Sequence, residues 1–484
     1  MNPLNRATFT IHRVTGTFIA IFFCMWFFTG LVLLYHSFPR LDRSRAMSIS
    51  DSLPERLAFT DSLPSGLRSL SISSSGARTI LSWSTADTAV VCTPEGKPVG
   101  PATYADALQT ASRWLDAPIV RVDTLTERDQ WIMYSRYIGE LPIYKFHYGD
   151  KNKSELYVAS RSAEPLQFTT LRSRFWSWVG AIPHKLYFPS LRADVDRWKM
   201  WLHTGAAICL IASLSGLYIA IFLWVKTRRH TGRWCNPLRG RLMRLHFTLG
   251  LIFALPLISW SISGLFALQT VPSWLVPFEG PEYVSSSKLW GRGMTDADKY
   301  KLDYATVLNA CHDARIVNYG RIGSIPTIEV STPDSYLIFD ASSSELRPLD
   351  IPRQTVEDCV SHLFGEDITM TIETINEPDN LYYGIKSDPP LPVYRVRLDY
   401  PGSPVLYIDP SDGDVTFYND NRRIRKILFS GLHYLNLRVF AGHPGAWYMT
   451  LWILCITGIV FCLTSAILGW RYIKRKLRPK NPLI

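Results

Sequence analysis

The sequence predicts an internally duplicated membrane protein: an α-helical four-helix bundle carrying two α+β domains on one side of the bilayer. Three observations carry this prediction. Four stretches lack Asp, Glu, Lys and Arg over the thickness of a bilayer, the short segments flanking them are basic, and the second half of the chain repeats the first.

The uncharged runs are Val14–Pro39, Met200–Val225, Leu245–Phe278 and Val439–Trp470, each longer than the roughly 20 apolar residues that cross a hydrocarbon core. They place membrane helices at residues 1–36, 198–225, 245–269 and 438–470. The first is expected to stay in the mature chain. Its apolar core outruns the roughly 7–15 residues of a signal peptide, and "LVLLYHSFPRL" offers no small-x-small cleavage site. Orientation follows from the flanks. Met1–Arg13 carries two Arg, loop 226–244 seven Lys or Arg and tail 471–484 six, with no acidic residue in any of them. The positive-inside rule therefore puts all three in the cytoplasm. The rest of the chain holds 37 basic against 41 acidic residues, so the net charge of +11 reports topology and implies no nucleic-acid partner. Segments 37–197 and 270–437 fall on the other side of the membrane, each long enough for its own core.

The repeat is direct. "IHRVTGTFIAIFFCMWFFTGLVLL" lies on "LHFTLGLIFALPLISWSISGLFAL" without a gap, matching His12 to His246, Gly16 to Gly250 and Gly30 to Gly264. "LPIYKFHYGDKNKSELYV" from Leu141 lies on "LPVYRVRLDYPGSPVLYI" from Leu391, and further on His184 meets His433 with one residue of slippage. Each half thus reads helix, extramembrane domain, histidine, helix.

Within the domains, "TYADALQTASRWL" and "QTVEDCVSHLF" have helical spacing. "IVRVDTL", "QWIMYSRY", "PIYKFHY" and "SELYVAS" alternate like strands, and "VLYIDPSDGDVTFY" reads as two strands about an Asp-Gly turn. A helix on a small antiparallel sheet is expected in each domain, with an added strand-rich piece at Leu67–Val99 and Ser324–Leu349. Of eight cysteines, Cys24, Cys209, Cys455 and Cys462 fall in membrane runs and Cys235 in the cytoplasmic loop. Cys92, Cys311 and Cys359 face the oxidising side, where Cys311 and Cys359 are candidates for a disulfide.

His12 and His246 occupy the same depth near the cytoplasmic ends of two equivalent helices. His184 and His433 occupy equivalent points just before the second and fourth helices. A pseudo-twofold bundle brings such pairs face to face, the arrangement that a bis-imidazole haem iron needs. Two pairs at opposite faces suggest two haems and an electron path across the membrane. Gly16 and Gly250 remove bulk where a porphyrin would lie, although helix packing explains them equally well. Arg6, Arg13 and Arg244 on one side, and Arg172, Arg174, Arg422 and Arg423 on the other, are candidates for propionate pairing or for interfacial anchoring. His203 is polar within a membrane run and stands as an alternative outer ligand; His36, aligned with Thr270, ranks below it. Trp176, Trp178, Tyr187 and Tyr434 either line the outer site or belong to the aromatic belt. His147, His230, His312, His362 and His443 read as loop or surface residues.

These residues resemble the PepSY-associated transmembrane proteins. The resemblance rests on "HRVTG" followed by "FTGLVL", on "LHFTLG" with "ISGLF", on "HTGAAICLIASLSGLYI", and on "LPVYRVRLD" and "LYIDPSDGDV", and it covers nearly the whole chain. It implies PepSY-like periplasmic domains and an iron-regulated protein of the bacterial inner membrane. The best understood members resemble di-haem ferrisiderophore reductases, implying haem b in the bundle and electrons from a cytoplasmic or quinol donor. Reduction of a ferric siderophore in the periplasm would then release Fe(II). Flavin-bearing relatives carry a cytoplasmic reductase domain, whereas the cytoplasmic parts here are short and no GxGxxG run has a place to sit. Two other readings remain: a haem-free PepSY protein that binds a peptidase or peptide, and a permease for an iron complex.

Overall fold

A computed structural model describes residues 2–55, 57, 66–76, 78–267, 271–277 and 280–477. Among these, four helices are long and apolar enough to cross a membrane: α1 (Pro3–Leu33), α2 (Val195–Thr231), α3 (Arg241–Leu265) and α4 (Pro444–Leu477). All four run into charged sequence at one or both ends, because backbone hydrogen bonding continues after the apolar run stops. The expected end of the third helix at residue 269, Thr270, the end of the third uncharged run at Phe278 and the tail beyond Leu477 lie outside the described residues.

α1 and α3 each pack along α2 and α4, which leaves α1 and α3 facing each other diagonally across the centre. That centre is apolar, built from Ile19, Phe23, Phe27, Cys209, Phe253, Leu257, Cys455 and Cys462. Phe18, Ile252 and Leu255 point outward and are 68%, 69% and 72% exposed; such a surface is a liability in water and the requirement in lipid. The buried hydroxyls of Thr29, Ser213, Ser261 and Thr464 donate to carbonyls of the preceding turn, so the helix itself satisfies them.

The chain between α1 and α2, and the chain between α3 and α4, each form an α+β unit. In the first, β4 (Ile119–Leu125), β5 (Ile143–Tyr148), β6 (Glu155–Ala159) and β7 (Pro165–Thr169) make an antiparallel sheet in sequence order. Helix Tyr104–Trp114 lays Ala107, Ala111 and Trp114 on it against Phe146, Leu156 and Val158. A capping box between Thr103 and Asp106 starts that helix. In the second, β12 (Met370–Ile375), β13 (Val393–Leu398), β14 (Val405–Ile408) and β15 (Val415–Tyr418) repeat the order, with helix Arg353–Phe364 on the sheet.

Two expectations change. "QWIMYSRY" is a loop and a short 3-10 helix (Ser135–Glu140) where a strand was expected. Asp129 Oδ1 accepts the backbone N–H of Trp131 and Ile132, which turns the chain, and the apolar residues bury into the domain core without pairing in a sheet. The strand-rich pieces of the two segments also do not stand apart. β1 (Ser69–Ser75), β2 (Arg78–Ser84) and β3 (Ala89–Cys92) join β8 (Ile316–Ile322), β9 (Ile325–Ser331), β10 (Tyr336–Asp340) and β11 (Arg347–Pro348) in one seven-stranded sheet. The seam is β1 on β8, with Leu70 opposite Tyr319 and Ile72 opposite Val317. All eight cysteines are free thiols: Cys311 lies in the core of the joined sheet and Cys359 beside the core of the second domain.

Candidate functional site: two histidine pairs

The connectivity puts the C-terminal ends of α1 and α3 and the N-terminal ends of α2 and α4 beside the β-domains. His12 and His246 sit toward the far end of the bundle, on the diagonal helices, with ring centroids 6.3 Å apart. His184 and His433 sit at the domain end, in short helices Ala181–Lys185 and Leu432–Tyr434, with centroids 6.2 Å apart. A nitrogen about 2 Å from a metal ion, and a ring centre about 1 Å beyond it, put two opposed imidazoles about 6 Å apart, centre to centre. Both pairs have that spacing.

The hydrogen bonds assign the tautomer. His12 Nδ1 lies 3.1 Å from the carbonyl of Ala212, which can only accept. His184 Nδ1 lies 2.9 Å from Thr29 Oγ1, His433 Nδ1 3.0 Å from Ser263 Oγ and His246 Nδ1 3.2 Å from Thr464 Oγ1. Each of these hydroxyls already spends its proton on a carbonyl of its own helix, so it accepts from the imidazole. All four rings therefore carry the proton on Nδ1 and the lone pair on Nε2, the arrangement that second-shell partners impose on metal-binding histidine. Burial lowers the pKa of His184, with His433 and Lys185 adding to it, and burial followed by Lys185 does the same to His433. Both imidazoles are held neutral, as ligation requires.

Tryptophans fix the domain-end pair. Trp26 Nε1 of α1 donates to the carbonyl of His184 (3.1 Å), and Trp260 Nε1 of α3 to that of His433 (3.0 Å). Trp198 of α2 and Trp447 of α4 donate to the next carbonyls, Lys185 and Tyr434, both at 2.7 Å. Leu186 and Leu435 follow with φ of 50° and 51°, reversing the chain after each histidine. These four indoles were missed as site residues. Trp26 and Trp260 match within the gapless helix repeat, and Trp198 and Trp447 stand at the same interval as His184 and His433, so the repeat contained the signal.

The residues fit a haem better than a bare ion. Among the described residues no three His, Cys, Asp or Glu gather to hold a metal, and a protein-bound zinc or similar ion takes three or four protein ligands. A pair of imidazoles suits a group that brings its own equatorial nitrogens. One turn from His12 on the same face, a Cβ added to Gly16 would meet nothing within 4 Å, whereas one on Gly250 would meet Phe461 at 3.2 Å. Open space thus adjoins only the first of the two glycines. Gly216 of α2 supports His12 from the side: an added Cβ would come within 2.7 Å of its Cε1.

Other candidates lie elsewhere. His203 on α2 makes no ring contact with either pair, and its Nε2 is buried without a hydrogen-bond partner among the described residues. His36 stacks on Trp176 at 4.3 Å. Arg13 lies over Tyr472, Arg422 over Tyr283, and Arg174 and Arg423 are engaged inside the β-domains. Arg6, Arg172 and Arg244 are exposed. Between the pairs, His246 stacks on Phe461 at 5.0 Å, Phe461 meets Phe253 at 6.5 Å, and Phe253 meets Phe27 at 5.7 Å and Trp260 at 6.0 Å.

Four membrane helices around paired imidazoles define a multi-pass membrane protein. The model of the PepSY-associated TM region matches residues 9–301, and the chain belongs to that family. The match takes in His12, His184, His203 and His246, while His433 lies beyond it. No curated protein matches the chain.

Proposed function

We propose that this chain is an internally duplicated cytochrome b of the bacterial inner membrane, with its β-domains in the periplasm and both termini in the cytoplasm, and that it reduces ferric siderophores. The observation that carries the reading is the pair of 6.3 and 6.2 Å imidazole spacings, each with Nδ1 engaged and Nε2 left for a metal. His12 with His246 and His184 with His433 would each hold one haem b, which supplies one-electron redox chemistry when bound.

The chain's own residues do the rest. Ala212, Thr464, Thr29 and Ser263 orient the rings, and the four tryptophans hold the turns that present the domain-end pair. The apolar centre keeps water and ions out of the space between the pairs, which speaks against a permease. One electron passed to the chelate converts Fe(III) to Fe(II) and forms no bond to the protein. Hydroxamate and catecholate oxygens favour the harder ferric ion, so the ferrous ion leaves. The sequence has no nucleotide fingerprint, and the electrons come from a quinol or a cytoplasmic donor.

The size of the extramembrane part favours one second reading, a haem-free PepSY protein whose domains bind a peptidase or peptide. A dithionite-reduced minus oxidised spectrum of the purified chain, with a pyridine haemochrome titration, separates the two. A low-spin b-type α band with about two haems per chain, as two His pairs require, is expected. A folded, colourless protein that takes up no added haem sinks the redox reading.

A further inference from the structure

The two β-domains are built alike but filled differently at one spot. Lys145 and His147 on β5 hold the same register as Arg395 and Arg397 on β13, each opposite Tyr157 and Glu155 or Tyr407 and Val405. Arg174 and Arg423 stand four residues after the N-caps Thr170 and Asn419, and each donates to a backbone carbonyl, Lys153 or Ser403, at matching left-handed positions. Three basic positions therefore converge in both domains.

In the first domain they converge on a carboxylate of the chain itself. Glu155 lies 3.1 Å from Lys145 Nζ, 3.4 Å from Arg174 Nη1 and 3.6 Å from His147 Nδ1, and is 14% exposed. In the second domain that position is Val405. Arg395, Arg397 and Arg423, with Asp379, Asn380, Leu381, Ser403 and Tyr407, line an open cleft of about 460 Å³. Glu373 and Asp379 anchor Arg395 from one side and Asp420 anchors Arg423. Arg395 Nε is nevertheless buried without a partner among the described residues, and Arg397, half exposed, reaches Glu373 only at 3.8 Å. A buried donor left unmet costs free energy.

We infer that the cleft of the second domain binds the carboxylate of an external small ligand in the place that Glu155 fills in the first. Guanidinium groups suit this ligand because their planar fork matches a carboxylate bidentately. The cleft wall at Asn380–Leu381 also accepts hydrogen bonds from Arg438 and Lys426, and Tyr383 donates to Asn436. A bound carboxylate would thus lie against the loop that holds the His433 turn. The inference concerns the second domain alone and does not depend on the haem reading.

Calorimetric titration of the full-length protein in detergent with citrate tests it, with inorganic phosphate as the competing anion. One citrate site per chain is expected. Arg397→Gln, at a half-exposed position that leaves the fold intact, weakens it about tenfold or more, the worth of a charged hydrogen bond. Val405→Glu, which installs the first domain's carboxylate, abolishes it, with the thermal melt checking the fold. Absence of citrate binding, phosphate binding in its place, or citrate binding unchanged in Arg397→Gln would each overturn the proposal.

Discussion

The two halves of the chain keep some positions alike and let others diverge. Both halves keep a histidine at each end of the bundle, a hydroxyl beside the domain-end histidine, and two indoles on the carbonyls of its turn. They diverge where one copy is enough. Phe461, Phe253 and Phe27 have Ala212, Ile19 and Ser261 at the matching positions, and Glu155 has Val405. The shared positions build the two pairs, each taking one imidazole from each half. The divergent ones run an aromatic path from Phe461 and Phe253 of the second half to Phe27 of the first and empty one of two polar clefts. A paired site needs both copies, whereas a path or a cleft needs one.

The sharpest break of the comparison is to remove one member of each pair. His12→Ala and His433→Ala are each expected to lower haem per chain from about two to about one, because a single axial imidazole does not secure a bis-imidazole haem. The His12 and His246 variants should lose the same spectral component, and the His184 and His433 variants the other. Two variants of one pair that erase different components would break the pairing. His203→Ala should leave both.

Next comes the filled cleft. Glu155→Val takes the shared carboxylate from Lys145, His147 and Arg174, while Lys145 keeps Asp129 at 3.4 Å and His147 keeps Asp123 at 2.8 Å, so the loss is that of the partly unmet buried donors, about 1–3 kcal/mol. A denaturant melt is expected to show that loss. Equal stability of Glu155→Val and wild type would mean that the carboxylate does not hold the cluster together.

A smaller effect separates ligands from their supports. Thr29→Val and Ser263→Ala remove the acceptors of His184 and His433 Nδ1 while leaving both imidazoles in place. Loss of such outer-shell partners weakens metal affinity about 10–100-fold, read as faster haem loss to apomyoglobin. The two variants should behave alike, since the two hydroxyls hold equivalent positions.

Much of this was legible in the sequence, and the reason is physical. A membrane helix announces itself because lipid forbids charge over a fixed length, and a duplicated histidine announces itself because the repeat carries it to the same depth twice. The pairs His12 with His246 and His184 with His433 were named from those two signals. Helix ends were less clear, since α2 runs on to Thr231, past the end of its uncharged run at Val225. The β1 to β8 seam was not legible. It joins Ile72 to Val317 across about half of the chain, and strand pairing at such separation leaves no local pattern. The loop after Asp129 misled because its buried Trp131, Ile132 and Met133 resemble a strand until the Asp side chain is seen capping the turn.

The smallest expected effect tests the open cleft by pH. Burial opposes ionisation of Asp379, but hydrogen bonds from Tyr407, Arg395 and the backbone of Tyr382 and Leu381 outweigh it and hold its carboxyl below the ordinary value. A depressed carboxylate stabilises the fold above its unfolded pKa of about 3.9, and that contribution fades as pH falls through the folded value. Melting temperature should therefore drop on acidification from pH 5 to pH 3. Asp379→Asn, which keeps an oxygen for the backbone amides and loses the charge facing Arg395, should lower stability at pH 5 and flatten the slope below it. An unchanged slope would mean that Arg395 takes its support from Glu373 alone. The cleft's cations would then be less restrained than their distances indicate.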